Sequence, residues 1–365
     1  MKKNFKELSQ DEIILVLEGL GQKKYRARQI IDWIYKKMLS SFDEMTDLPC
    51  ELREALKKTA YISNLHLLQE QESSDGTRRF LFELEDRQTI ESVLIPNIRG
   101  ESTFTLCISS QVGCAVGCAF CSTGKMGMQR NLKAHEIVEQ VMAASKIIHI
   151  ESACLNANKN KSGRITNIVF MGMGEPLNNF SEVVTALRKI TGLLGFSKRK
   201  ITVSTAGIVP KIYEFPQKAP EVNLAISLNA TTDVTRNRLM PINKRYPLKD
   251  LLEACRVFPL SPYRRITFEY ILIEGINDSR EDAKRLVKLL QGIRSKVNLI
   301  PYNPPSLSQE SADQLFNPSS DRTILEFQNV LHKAGVTAII RKSMGSDISA
   351  ACGQLKATYS MQSEQ

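Results

Sequence analysis

The sequence predicts an α/β fold in which parallel strands with helical crossovers follow a small helical N-terminal domain and a β linker segment. Three observations predict it. Residues 9 to about 60 carry helical periodicity, residues 64–100 change to a turn-and-strand pattern, and from about 104 onward strand and helix signals alternate. Alternation of that kind is the signature of strands joined by helices in one parallel sheet.

The helical part opens at Ser9 and Glu12, which fit a capping box. The run Ile13–Leu20 starts a first helix that Gly21 can end, and a second helix carries Ile30, Ile31, Trp33, Ile34 and Met38. Between them Lys23, Lys24, Arg26 and Arg28 put four cations within six residues. Such a run is either a solvated helix end or a contact for RNA phosphates.

In the β segment, Glu72–Thr77 is a turn signal followed by a strand at Arg79–Glu83, with another strand over Thr89–Pro96. In the alternating region the expected strands are Phe104–Ser109, Asn167–Met171, Ile201–Ser204, Asn223–Ser227, Ile266–Ile271, Val297–Ile300 and Val336–Arg341. Helices are expected at Glu136–Ile148, Glu182–Leu194, Arg280–Leu290 and Arg322–Ala334. Sites in such folds gather at the carboxyl ends of the strands, and the motifs below fall there. The expected organisation is a helical accessory domain over 1–63, the β linker over 64–100, the main domain over 101–356 and a frayed tail over 357–365. Asn156–Gly163 reads as an exposed loop, and no internal repeat is found.

Hydrophobic residues make up 42% of the 365 and charged residues 24%, an ordinary globular balance with enough apolar material for a sizeable core. Lysine and arginine exceed aspartate and glutamate by ten, which suits an acidic partner, nucleic acid or an anionic membrane surface, or else a basic but inert surface. No apolar run approaches a membrane span. The opening Met1-Lys-Lys-Asn-Phe-Lys6 leads into mixed polar sequence with no signal-peptide core, so the expectation is a cytoplasmic chain without membrane attachment.

There are eight cysteines, and in a reducing compartment clustered thiols point to metal or to chemistry rather than to structural disulfides. Residues 113–124 read Gly-Cys-Ala-Val-Gly-Cys-Ala-Phe-Cys-Ser-Thr-Gly, which puts Cys114, Cys118 and Cys121 at C-x3-C-x2-C spacing in a loop after a strand. A closed zinc site wants a fourth ligand. A cubane cluster takes one cysteine per iron, so three cysteines leave one iron open. With Phe120 before the last cysteine, the spacing is similar to that of radical S-adenosylmethionine (SAM) enzymes. That resemblance implies a partial (β/α) barrel, a [4Fe-4S] cluster on these three cysteines and SAM chelated at the open iron. Phe170-Met-Gly-Met-Gly-Glu-Pro-Leu177 resembles the segment that holds the SAM amino group in that superfamily, through Gly174 and Glu175.

Thr105-Leu-Cys-Ile-Ser-Ser-Gln-Val-Gly-Cys114 and Asp347-Ile-Ser-Ala-Ala-Cys-Gly-Gln-Leu355 sharpen the match. With Cys121-Ser-Thr-Gly124, Arg130-Asn-Leu132 and Met240-Pro-Ile-Asn243, they resemble the RlmN/Cfr family of RNA adenine methyltransferases over nearly the whole chain. The resemblance implies that Cys352 is first methylated by one SAM. A second SAM then yields the radical that activates this methyl group for addition to adenine. It further implies that Cys107 attacks the sulfur of Cys352, releasing product and leaving a disulfide to be reduced. Glu91 matches the position of the proton acceptor. Further SAM contacts are implied at Ser204, at Ser227, Leu228 and Asn229, and at Asn303. Asn229 departs from the family, where histidine is common, and asparagine does not titrate near neutral pH. Cys50, Cys154 and Cys255 read as buried thiols, and the four histidines carry no motif.

Met171-Gly-Met-Gly-Glu-Pro176, Pro301-Tyr-Asn-Pro304 and Ile340-Arg-Lys-Ser343 look more like the housekeeping branch. That branch methylates carbon 2 of an adenosine in the peptidyl-transferase centre of 23S rRNA, and in some members the adenine beside the anticodon of tRNA. The Cfr branch, acting on carbon 8, is the alternative. The implied partners are RNA and a flavodoxin- or ferredoxin-type electron donor, with a monomer expected. Two other readings explain less. A metal-containing RNA-binding assembly factor leaves Cys107, Cys352 and Gly174-Glu175 without a role. For a radical SAM enzyme acting on a small molecule or protein, the basic N-terminal part and Cys352 go unused.

Overall fold

The computed structural model describes residues 2–97, 102–155, 163–304 and 316–357. Apart from Gly163, the Asn156–Gly163 loop lies outside the described residues, as does the tail beyond Ala357.

The N-terminal part holds β1 (Lys3–Asn4), α1 (Gln10–Gly19), α2 (Tyr25–Tyr35), α3 (Cys50–Thr59) and β2 (Ala60–Tyr61), with β1 and β2 paired in parallel. The capping box forms: the Ser9 hydroxyl accepts from the Glu12 N–H at 3.3 Å and the Glu12 carboxylate accepts from the Ser9 N–H at 2.7 Å. The second helix is shorter than the apolar pattern predicts. It stops at Tyr35, and Met38 sits in the left-handed region at φ +55°. This unit is pinned to the rest by Lys6, buried beside Glu139 at 3.5 Å and donating to Ser63 O, and by the Lys133–Glu7 ion pair at 2.6 Å.

Three antiparallel strands follow: β3 (His66–Glu72), β4 (Arg78–Glu83) and β5 (Thr89–Pro96). The strand β6 (Thr103–Cys107) pairs antiparallel with β5 and parallel with β9 (Arg164–Phe170). Between them lie the short hairpin strands β7 (Gln111–Gly113) and β8 (Met128–Asn131), the single-turn helix α4 (Ser122–Lys125) and the long helix α5 (Ala134–Leu155). The alternation then runs through α6 (Phe180–Gly192), β10 (Ile201–Thr205), α7 (Val209–Lys218), β11 (Asn223–Ser227), α8 (Asp233–Leu239) and α9 (Leu248–Val257). It closes with β12 (Ile266–Leu272), α10 (Arg280–Leu289), β13 (Ser295–Pro301), α11 (Asp321–Lys333) and β14 (Ala338–Ile340).

The ten-stranded sheet has the order β14-β13-β12-β11-β10-β9-β6-β5-β4-β3. Every neighbouring pair from β6 to β14 in this order is parallel, the arrangement of a partial (β/α) barrel, and β5, β4 and β3 extend the same sheet. The strand β3 was not expected: His-Leu-Leu-Gln-Glu-Gln-Glu lacks a continuous apolar face because it is the sheet edge. The strands β10, β11 and β12 are largely buried, so they read as apolar runs such as Asn223-Leu-Ala-Ile-Ser227. No helix among the described residues is long and apolar enough to cross a membrane.

Candidate active site

A cavity of about 150 Å³ opens at the carboxyl ends of the parallel strands. Cys114, Cys118 and Cys121 line one part of it, and Gly174, Glu175, Ser204, Ser227, Asn229, Glu269 and Cys352 line the rest.

The cysteine loop leaves β7 at Gly113, whose φ is +74° and whose position a Cβ would fill to 1.9 Å from Gly127 O. Only glycine allows that approach. The Cys114 N–H donates to Gly127 O at 2.9 Å, the Ala119 N–H to Leu239 O at 2.9 Å and the Cys121 N–H to Cys118 O at 3.1 Å. Burial pushes all three thiols up, Cys114 to about 12, so they ionise only against a positive centre. Among the described residues no three His, Cys, Asp or Glu side chains group closely enough for a single metal ion. The three thiols instead share one cavity wall, and a cluster takes one thiol per iron. The donor set therefore fits an iron–sulfur cluster.

The glycines of the Gly172-Met-Gly-Glu175 segment serve close packing. A Cβ at Gly174 would sit 2.5 Å from the Gln111 side chain, and one at Gly172 would sit 2.8 Å from Ile108 O. The Glu175 carboxylate is engaged by the protein, accepting from Thr205 Oγ1 at 2.7 Å, Ala206 N–H at 2.6 Å and Leu177 N–H at 2.9 Å. It ties the loop after β9 to the end of β10.

Asn229 has φ +58°, a conformation asparagine tolerates better than most residues. Its Oδ1 accepts from the Ile271 N–H at 2.9 Å and its carbonyl from Asn277 Nδ2 at 2.8 Å. The Asn229 side chain thus braces β12. Leu228 points into the core, fully buried, and Asn303 is buried; neither lines the cavity.

The segment after β14 contributes Cys352 and Gly353 to the cavity lining. Asp347 accepts from Ser73 Oγ at 2.6 Å, and the Gly345 N–H donates to Asp75 at 2.9 Å. The Ser122 N–H donates to Gly353 O at 2.7 Å, Thr123 Oγ1 donates to Leu355 O at 2.6 Å, and Gln354 Nε2 donates to Pro304 O at 2.6 Å. Cys352 is accessible from the cavity though crowded by protein, and burial raises it to about 11. Cys107, at the end of β6, is buried in an apolar cluster with Ala350 and Leu355 of this segment. Burial and then the nearby Cys352 push it far above an ordinary thiol. Both cysteines are free thiols in this structure, as are Cys50, which is exposed rather than buried, and Cys255, which is buried. The side chain of Cys154 lies outside the described residues.

Glu91 does not line the cavity. Its buried carboxylate pairs with Arg79 at 3.1 Å and accepts from the Lys356 N–H at 2.9 Å, so it anchors the segment carrying Cys352.

Two site residues escaped the sequence reading. Arg236, fully buried, donates to Leu228 O at 3.0 Å, Ala206 O at 2.7 Å, Ser227 O at 3.1 Å and Asn243 Oδ1 at 2.9 Å, joining the ends of β10 and β11. Its signal was an arginine just ahead of Met240-Pro-Ile-Asn243. Glu269 is a buried acid in an otherwise apolar strand, Ile-Thr-Phe-Glu-Tyr-Ile-Leu, and that break in pattern was its signal.

Of the four predicted N-terminal cations, three have partners. Lys24 lies 3.6 Å from Glu18, Arg28 lies 3.3 Å from Asp32, and Arg26 donates to Gln29 at 2.8 Å. Lys23 is exposed.

Comparison with known proteins adds two family matches. The Ribosomal RNA large subunit methyltransferase N-terminal domain matches residues 3–62, and the Radical SAM superfamily matches residues 108–289. The chain is 49% identical over 355 residues to the dual-specificity RNA methyltransferase RlmN of Syntrophotalea carbinolica, covering 97% of this chain and 89% of that one. It is 50% identical to the protein of the same name from Geobacter sulfurreducens, covering 97% and 92%. A crystal structure of a radical SAM methyltransferase from Sphaerobacter thermophilus superposes with a TM-score of 0.87 at 41% identity, covering 98% of this chain and all of that one.

Proposed function

The chain belongs to the RlmN family of radical SAM RNA methyltransferases, and on that premise we propose that it methylates carbon 2 of adenine in 23S rRNA and in tRNA through a methyl group carried on Cys352. The observation that carries this reading is that Cys352 opens onto the cavity lined by Cys114, Cys118 and Cys121, while Cys107 packs against the segment that bears it. A structural metal site would need neither of these extra thiols.

A [4Fe-4S] cluster and SAM, when bound, supply the methyl group and the electron-initiated radical chemistry that a non-nucleophilic ring carbon requires. Cys114, Cys118 and Cys121 would hold the cluster. Gly174 and Glu175 would frame the amino-acid end of SAM, and Ser204 and Ser227 offer hydroxyls to it at the ends of their strands. Asn229 lines the cavity beside them, and Leu228 and Asn303 support that wall from behind. Cys352 receives one methyl group per turnover and delivers its carbon to the base, which calls for two SAM molecules per cycle. Cys107 then forms a bond to the sulfur of Cys352 as the carbon–sulfur bond to product breaks, and the resulting disulfide is reduced by two electrons. Glu91 is the assigned acceptor of the ring proton, a role that requires RNA binding to release its carboxylate from Arg79 and the Lys356 N–H. A flavodoxin- or ferredoxin-type protein is the proposed electron source, and the enzyme acts as a monomer in the cytoplasm.

Lys23, Lys24, Arg26 and Arg28 present a basic edge suited to RNA phosphates, which position the substrate, whereas an unstacked base enters the cavity. Mass spectrometry of nucleosides from rRNA and tRNA treated with the enzyme tests the assignment. The expected product is 2-methyladenosine; 8-methyladenosine would overturn it.

A further inference from the structure

The scheme above leaves one ionisable group in the cavity without a task, Glu269. Strand alternation on β12 turns Glu269 and Ile271 toward the cavity, while Tyr270 faces the helices and packs on Phe327 at 5.3 Å between ring centroids. Glu269 is 7% exposed. A carboxylate this deep needs a partner, and Asn298, its cross-strand neighbour on β13, donates from Nδ2 to Oε1 at 2.9 Å. Among the described residues no hydrogen bond reaches its other oxygen.

The charged and titratable groups that face Glu269 are Lys296 on β13, Arg341 just after β14, and Cys352. Burial outweighs the two cations and holds the carboxyl at about 7, so near neutral pH it exchanges a proton readily. The sulfur of Cys352 is reachable from the cavity, yet the protein packed around it, with the Glu269 charge and Cys121 beside it and only partly offset by Arg341, raises the thiol to about 11. At neutral pH that thiol scarcely ionises unaided.

Methylation of Cys352 breaks the methyl–sulfonium bond of SAM, with the electron pair staying on the sulfur of S-adenosylhomocysteine. A new bond forms between the methyl carbon and Cys352 Sγ, and the thiol proton must go to a base. We infer that Glu269 is that base: it shares the cavity with Cys352, keeps one carboxylate oxygen free of donors among the described residues and stands on a strand paired on both sides, by β11 and β13. This inference rests on Cys352 being the methyl carrier.

The test uses full-length, cluster-loaded protein and reads methyl incorporation at Cys352 by peptide mass spectrometry in a single turnover across pH. In the wild type the rate rises with pH through about 7, as Glu269 loses its proton. Glu269→Gln is expected to remove this limb and to slow methylation about 100-fold at neutral pH with iron content unchanged. Glu269→Asp is expected to recover part of the rate. A second readout uses no SAM: alkylation of Cys352 by iodoacetamide should become faster in Glu269→Gln, because the charge that holds the thiol up is gone. Slower methylation with faster alkylation is the signature of a base. An unchanged methylation rate and pH profile overturns the inference. So does a defect confined to SAM affinity, which would make Glu269 a SAM contact, or an acceleration of both reactions. If wild-type Cys352 gains no methyl group, the carrier reading itself has failed, and that outcome is distinct from a failure of Glu269 alone.

Discussion

The Ser122 N–H donates to the carbonyl oxygen of Gly353 at 2.7 Å, so the residue after Cys121 and the residue after Cys352 are joined by one hydrogen bond. The loop that would hold the cluster and the segment that would carry the methyl group are therefore tied directly to each other. Gly353 makes the join possible: its φ is +88°, and a Cβ there would lie 3.3 Å from Phe120 O.

Gly353→Ala is expected to destabilise the fold by roughly 1–2 kcal/mol, because alanine is strained in that backbone region. It should also lower methylation of Cys352 while leaving the three cluster cysteines in place. Urea unfolding and peptide mass spectrometry check the pair of effects. A wild-type midpoint with wild-type methylation would mean that the join is incidental.

Arg236→Gln loses the charged fork that donates to the Leu228, Ala206 and Ser227 carbonyls; Leu228 O keeps the Ala230 N–H, and a buried carbonyl left without a donor costs roughly 1–3 kcal/mol. The expected result is a lower unfolding midpoint and weaker SAM binding, since the ends of β10 and β11 lose their common donor. Arg236→Lys should rescue little, because an ammonium cannot reproduce the planar fork. Full rescue by lysine would show that only the charge matters.

The raised carboxyl of Glu269 also shapes stability against pH. Its folded value of about 7 exceeds the ordinary 4.5, so between those values the folded state binds more protons than the unfolded chain. The protonated carboxyl favours the fold fully below 4.5, and the advantage fades as pH rises through 7. The size is on the order of 3 kcal/mol. The difference in unfolding free energy between wild type and Glu269→Gln, taken at pH 5 and pH 8, should show the wild type losing relative stability at the higher pH. A pH-independent difference would contradict this.

Replacing Lys23, Lys24, Arg26 and Arg28 with neutral residues should weaken RNA binding and flatten its dependence on salt. On single-stranded RNA the log–log slope should fall by up to about 0.7 for each phosphate that the protein no longer neutralises. Wild-type affinity and slope would move the RNA-binding surface elsewhere. Because Lys24 and Arg28 already face acids, Lys23 is expected to contribute most.

Much of the architecture was legible because its signals are local. The capping box at Ser9 and Glu12, the strand Thr89–Pro96 and the buried run Asn223–Ser227 match the structure to the residue. The edge strand His66–Glu72 was not legible, since an edge needs no continuous apolar face. Nor was α7, which contains Pro216, a residue that ordinarily breaks a helix interior. Within the site, the contiguous motif around Cys114 and Cys121 announced itself. The tasks of Glu175, Asn229 and Glu91 did not: each depends on partners far away in sequence, Thr205 and Ala206, Ile271, and Arg79 with Lys356. Arg236 and Glu269 became visible only once burial was known, for the same reason.

The most direct test of the central claim replaces Cys352 by alanine in anaerobically reconstituted protein and follows RNA methylation together with SAM cleavage. The account predicts a cluster-containing protein that still cleaves SAM yet transfers no methyl group to adenine. Full methylation by the alanine variant would contradict the claim that Cys352 carries the carbon.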